Sequence, residues 1–422
     1  MQNKTVLVVD PFSSGAAYAN RIKTLYGYNV IALITNNQLP SAVMATFRQE
    51  DYSKVFYSRD FEETVQLIER ALGHAPDFIV CGSEPGVAVF DKLCSHWNLL
   101  PNVPEKSLAR RDKYLMQRQL MQDGIRYIPH HKSGSLDEIL QWCATHPFDE
   151  YVVKPVCSFG TEGVFFCKTI SDVKKAFHAL IDTRDYSGNK NAELLIEQRI
   201  DGTEYVVDAV SSQGEHFIVN LFKYIKHEIN GVPIYQQMIA EPVDAHPELV
   251  SYVKTVLTSL GIRHGTSHNE VILSDKGPVL VESGARMHGG LGPRLVEACN
   301  SHSLIDLSLL VRISPREFAD KTALQPVLKQ YAAEYFLTSK HAGTVKSVEI
   351  ESRCNSLESY GFTVCKYNAG DYLEKTVDLV TSYGRVVLFH SDRAQLERDA
   401  KAITGMEETG MLMALEGDYL PA

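Results

Sequence analysis

The sequence predicts an α/β chain that becomes α+β, with an open, mainly parallel sheet first and a large antiparallel sheet later. Three observations carry this. Short β-branched runs alternate with helical stretches as far as residue 105. An apolar strand then feeds a loop with glycines at 160 and 163. From residue 193 onward, alternating strands follow one another with one helix, 247–260, among them. At 422 residues the chain exceeds a single core, so two or three domains are expected.

In chain order, 5-TVLVVD-10 is a buried parallel strand, followed by a Ser/Gly loop and a helix within 11–27. Strands are expected at 29–35 and 77–84, helices at 62–73 and 86–99. The stretch 106-KSLARRDKYLMQRQLMQDG-124 reads as one helix stopped by glycine. A strand at 150–156, the loop 157-CSFGTEG-163, a returning strand at 164–169 and a helix at 171–182 come next. Antiparallel strands are expected at 193–200, 203–212, 215–225, 266–273 and 277–283. The domain reading is therefore 1–105, 106–192 and 193–422, with 311–422 an additional α+β part.

Composition removes several function classes. The 44% apolar and 22% charged content is that of a soluble globular protein. A formal charge of −10 argues against a nucleic-acid partner. The opening 1-MQNKTVLVVD-10 falls short of a signal-peptide core or a spanning helix, so a cytoplasmic protein with no membrane partner is expected. Eight scattered cysteines without a C-x-x-C pair read as reduced thiols and not as a zinc site.

Three constellations could carry chemistry. In 151-YVVKPVCSFGTEGV-164, Lys154 sits in an apolar strand and needs an anionic partner. The small residues after it let backbone N–H groups approach phosphate, although a plain hairpin with an edge lysine reads as well. In 193-ELLIEQRIDGTEYVVDAV-210, Glu197, Gln198 and Glu204 flank a crossover that offers groups for an adenine edge and ribose hydroxyls, or simply a charged turn. In 266-TSHNEVILSDKGPVLVESGARMHGG-290, Glu270 and Glu282 share a face if their strands are hairpin neighbours. Two such carboxylates suit a hard cation, and Arg286 a phosphoryl group.

Taken in order, these pieces resemble the ATP-grasp superfamily over about three-quarters of the chain. Within it, 81-CGSEPGVAVFDKLCSHWNLLPN-102, the RRDKYLM helix start and the Arg-x-His-Gly-Gly ending resemble L-amino-acid (dipeptide) ligases, ATP-dependent carboxylate–amine ligases. The resemblance implies an ATP-grasp fold with a preceding open-sheet domain, and amide formation between amino acids through an acyl phosphate. It places ATP phosphates against Lys113 and Lys154 under a glycine loop of Ser158, Phe159, Gly160 and Gly163. Adenine falls on Glu197, Gln198 and Ile200, ribose on Glu204, and magnesium (manganese substituting) on Glu270 and Glu282. Arg286, with Lys154 and the backbone of Gly289 and Gly290, would serve the transferring phosphoryl and the oxyanion.

Glu84, at a strand's carboxyl end, is a candidate for a substrate ammonium, with Pro85 shaping the pocket; a helix-dipole acid reads as well. His268 and His288 are candidates for the pocket wall, and Lys223 either reaches the phosphates or is exposed. One position departs from the family. The usual Glu-x-Asn-x-Arg is here 282-ESGAR-286, so Gly284 supplies no amide oxygen and the number of metal ions, one or two, is open. A carboxylase or other carboxyphosphate-forming enzyme, a silent ATP-binding regulator and a non-nucleotide binding protein are the competing classes. The partners expected are small molecules, with a homodimer allowed.

Overall fold

The computed structural model describes residues 4–58, 60–229 and 232–416. Four strands, β1 (Thr5–Val9), β2 (Asn29–Ile34), β3 (Lys54–Tyr57) and β4 (Phe78–Cys81), form a parallel sheet in the order β3-β2-β1-β4. The central β1 is apolar from Val6 to Val9 and buried on both faces, as helix-covered parallel strands must be.

A second, smaller sheet has the order β5-β8-β6-β7, built from β5 (His130–Ser133), β6 (Tyr151–Pro155), β7 (Phe165–Cys167) and β8 (Leu194–Gln198). Because β8 pairs with both β5 and β6, this sheet runs past the expected break at 192. It has its own core, including Ile139, Val153, Val173, Phe177 and Ile196.

The large sheet takes β9 (Thr203–Ser212), β10 (Glu215–Ile229), β11 (Val232–Glu241), β12 (Gly265–Ser274), β13 (Gly277–Gly284), β14 (Tyr331–Leu337), β16 (Tyr360–Cys365) and β18 (Gly384–His390). Their order is β13-β12-β9-β10-β11-β14-β18-β16, so the C-terminal part extends the same sheet. A three-stranded sheet, β17-β15-β19, from β15 (Gly343–Val348), β17 (Tyr372–Leu373) and β19 (Met413–Leu415), completes it.

The N-terminal and large sheets share their cores. Val6, Val8 and Val30 lie in one cluster with Val206, Val210, Phe222 and Leu307, and Leu7, Val9 and Ile31 in another with Val207, Ala209 and Leu221. Each such fully buried side chain contributes about 1.5–3 kcal/mol relative to exposure, so the two sheets are bound by many small terms. Arg21 adds a two-pronged pair with Asp306, at 2.5 and 2.6 Å.

The helix expected over 106–124 begins only at Lys113. Two 3-10 turns precede it, because the fully buried Arg110 is anchored by Asp91 (2.7 Å) and the Leu260 carbonyl (2.9 Å). Asp112 then caps the helix, accepting from the Leu115 N–H at 2.9 Å. The result places Lys113 on the helix's first turn.

Candidate active site

The cleft between the small and large sheets is lined by Lys113, Lys154, Ser158, Phe159, Gly160, Glu197, Gln198, Ile200, Glu204, Glu270 and Glu282. Every residue that the sequence reading gave to nucleotide or metal is there except Gly163. At that glycine (φ 65°) an added Cβ would lie 2.9 Å from Leu180 and 3.0 Å from the Pro155 ring, so it serves the turn. Val152, Ile128, Ile272 and Val281 supply flat apolar walls. Gln198 and Arg199 commit their N–H groups to the carbonyls of Pro129 and Glu150, each at 3.0 Å. Among the described residues the Ile200 N–H has no protein acceptor.

The buried lysines rest on carboxylates. Lys154 meets Glu197 at 2.6 Å, and Lys113 meets Glu282 at 3.2 Å and the Ser158 carbonyl at 2.7 Å. Glu197 keeps its second oxygen buried and without a hydrogen-bond partner among the described residues. Such an orphan acceptor asks for a donor from a ligand. Glu204 is held through both oxygens by Lys226 at 2.7 Å, and that ammonium lies over the Tyr235 ring at 4.2 Å. Lys226 and Tyr235 were missed from sequence; Lys223 was considered instead. It stands three residues away and so on the opposite strand face, in a separate groove with Arg393 and Lys401.

Two rows of side chains cross the large sheet. In the first, Glu270 is the register partner of Glu282, so two carboxylates face each other across β12 and β13. Like charges directly opposite repel unless a cation joins them, so the pair suits a hard divalent ion. Burial works against charge on Glu270, but His268, Lys226 and Arg286 outweigh it and hold its pKa below the usual range. The second row runs Asn220, Asp208, His268, Gly284. Fully buried Asp208 accepts from His268 Nδ1 at 2.9 Å, His288 Nδ1 at 3.0 Å and Asn220 at 2.8 Å. Burial disfavours its charge, yet the two imidazoles more than compensate and depress its pKa. Burial likewise opposes charge on His268, but hydrogen bonds to Asp208 and Glu270 lift it to about 9. For His288 burial wins, and its pKa falls.

Gly284 ends that row for a steric reason. A Cβ there would lie 2.7 Å from Glu84 Oε2 and 3.3 Å from the Arg286 guanidinium carbon. Glu84 itself stands 2.6 Å from Arg111 and 2.8 Å from Arg286, the second contact not aligned as a hydrogen bond. Burial opposes its ionisation, but the two arginines prevail and lower its pKa. The family's asparagine therefore has no room while Glu84 reaches Arg286. Without a ligand, Glu84, the candidate for a substrate ammonium, is held by two guanidiniums. Half-buried Pro85 opens the turn beside it. The Gly290 N–H, a candidate donor to the oxyanion, donates to Ser13 Oγ at 2.9 Å in this structure.

The loop over the cleft is clasped from outside. Phe159 packs on the N-terminal cluster of Phe12, Ile34 and Leu39 and lies 6.0 Å from the Tyr186 ring. The Tyr186 hydroxyl donates to Asp378, and the Leu379 N–H reaches the Gly160 carbonyl at 3.4 Å. Thr161 (φ 61°) holds a left-handed conformation that costs a β-branched residue.

A family model described as ATP-grasp domain matches residues 148–293. Dapdiamide A synthase of Enterobacter agglomerans is 34% identical over 334 residues, 78% of each chain. The solved L-amino acid ligase from Bacillus licheniformis superposes with a TM-score of 0.76 at 17% identity, covering 96% of this chain and 98% of that one. Phosphoribosylglycinamide synthetase from Anaerococcus prevotii gives 0.66 at 15% identity, with 98% and 99% coverage. The chain belongs to the ATP-grasp carboxylate–amine ligases. It is an ATP-dependent enzyme that forms C–N amide bonds. No helix among the described residues is long and apolar enough to cross a membrane.

Proposed function

We propose that the enzyme joins a carboxylic acid, an amino acid included, to the amine of a second amino acid. The carrying observation is the corner where Arg286, steered by Glu84 from the turn after β4, closes the β12–β13 pair beside Lys113. The likeness to a synthase of dapdiamide A supports a small amide product. Lys113 and Lys154 would exchange Glu282 and Glu197 for phosphate oxygens when ATP binds, which neutralises charge that would otherwise resist transfer. Ile200 and Glu204 would orient adenine and ribose. Glu270 and Glu282 would hold magnesium, which supplies positive charge against the phosphates. With glycine at 284 those two carboxylates would be its protein ligands, and manganese, with the same oxygen preference, would replace it. Arg286 would grip the acyl phosphate through its planar fork. Eight free cysteines suit a reducing compartment such as the cytoplasm.

The test is phosphate release over a panel of carboxylic acids and amino acids, with products weighed by mass spectrometry. Amide product dependent on both an acid and an amine is expected. ATP hydrolysis indifferent to the acid–amine pair would overturn the reading.

A further inference from the structure

An amine enters its binding site as an ammonium ion and must lose a proton before it can attack. Neither lysine, both already paired with carboxylates, nor Arg286 can accept one. We propose that His288 is the proton acceptor for the incoming amine, and that Asp208 and Asn220 are the positioning residues that aim it. This rests on the amide-ligase reading above.

Three observations converge. His288 follows Arg286 by two residues on the segment leaving β13, so it accompanies the group that meets the acyl phosphate. Its side chain is only 8% exposed, and its Nδ1 is tied to the fully buried Asp208 at 3.0 Å. That bond fixes the proton on Nδ1 and leaves the Nε2 lone pair open. Among the described residues Nε2 makes no hydrogen bond to the protein. The ring cannot swing away, because Phe222 meets it edge-on at 5.9 Å and the Gly292 backbone leaves no room for a Cβ (2.5 Å). His268, its ring 4.2 Å distant, bonds to both Asp208 and Glu270, so the one carboxylate serves two imidazoles with different tasks. His268 braces Glu270, and His288 is left to act.

The step balances. The ammonium gives one proton to Nε2, and its lone pair forms the C–N bond. The acyl C–O bond to phosphate breaks, a second proton leaves with phosphate, and the third stays on the amide nitrogen.

Hydroxylamine tests this, since it is largely unprotonated at neutral pH and needs no base. The parent enzyme, given ATP, magnesium and its acid, is challenged with an amino acid and with hydroxylamine separately. His288→Asn keeps a donor for Asp208 and removes the acceptor, so the ratio of amide to hydroxamate should fall on the order of 10²-fold or more. Equal loss of both products, or loss of neither, overturns the proposal. Should His288→Asn fail to fold by its melting curve, His288→Gln takes the same test. A parent that yields neither amide nor hydroxamate removes the ligase reading, and this inference with it.

Discussion

Glu84 stands between Arg111 and Arg286, and one of its oxygens occupies the space that a side chain at 284 would need. Removing one partner of a buried charge cluster typically costs about 3–5 kcal/mol, because the remaining charges are left uncompensated. Glu84→Ala should therefore lower the melting temperature and the turnover together. Gly284→Asn should also impair turnover by dislodging Glu84, yet in the Glu84→Ala background its added cost should shrink. A double-mutant cycle measures the coupling, expected at about 0.5–3 kcal/mol, and strict additivity would contradict the steric account. Arg286→Lys keeps charge and loses the fork, so steady-state kinetics should show turnover down on the order of 10²–10³ with ATP affinity little changed. His268 adds a pH signature. Its folded pKa, raised to about 9, contributes stability fully present below its unfolded value near 6.5 and lost as pH rises through about 9. That stability is on the order of 3 kcal/mol. Urea titrations across that window should show the decline, and His268→Asn should flatten it.

At the scale of elements, the glycine loop is held on three sides, by Phe159, by Tyr186 with Asp378, and by Leu379. Tyr186→Phe should raise hydrogen exchange in 157–163 without nucleotide, and ADP with magnesium should restore protection; an unchanged exchange rate would mean the clasp is incidental. The loop was legible because its small residues follow an apolar strand, whereas its clasps come from segments distant in sequence. The same contrast runs through the fold. Strands β9, β12 and β13 carry short apolar runs bounded by turn residues and were found. Among those missed are β3, with four residues, β5, whose HHKS is polar, and β11, where proline and two glutamines blur the pattern. Lys154 drew notice as a charge inside an apolar strand. Asp208 in 206-VVDAV-210 carries the same signal and was passed over, because its partners lie 60 and 80 residues ahead.

The whole molecule divides by its cores and not by chain order. The first sheet and the large sheet share two apolar clusters, while the small sheet has one of its own. Heating should thus unfold the first and large sheets in a single transition, followed by calorimetry, and a fragment ending at residue 105 should not fold alone. Two resolved transitions, with the first sheet melting separately, would refute the shared core.

The small sheet begins at β5 and ends at β8, and these two strands pair with His130 opposite Glu197. Entry and exit therefore lie side by side on the rest of the protein, joined across the Gln198 N–H and the Pro129 carbonyl at 3.0 Å. A segment whose ends meet in this way is a natural unit of exchange. Recombining it between relatives at those two seams would transplant one wall of the cleft while leaving the Glu84–Arg286 corner and the Asp208 row with the recipient, so nucleotide preference and amine preference could be inherited from different parents.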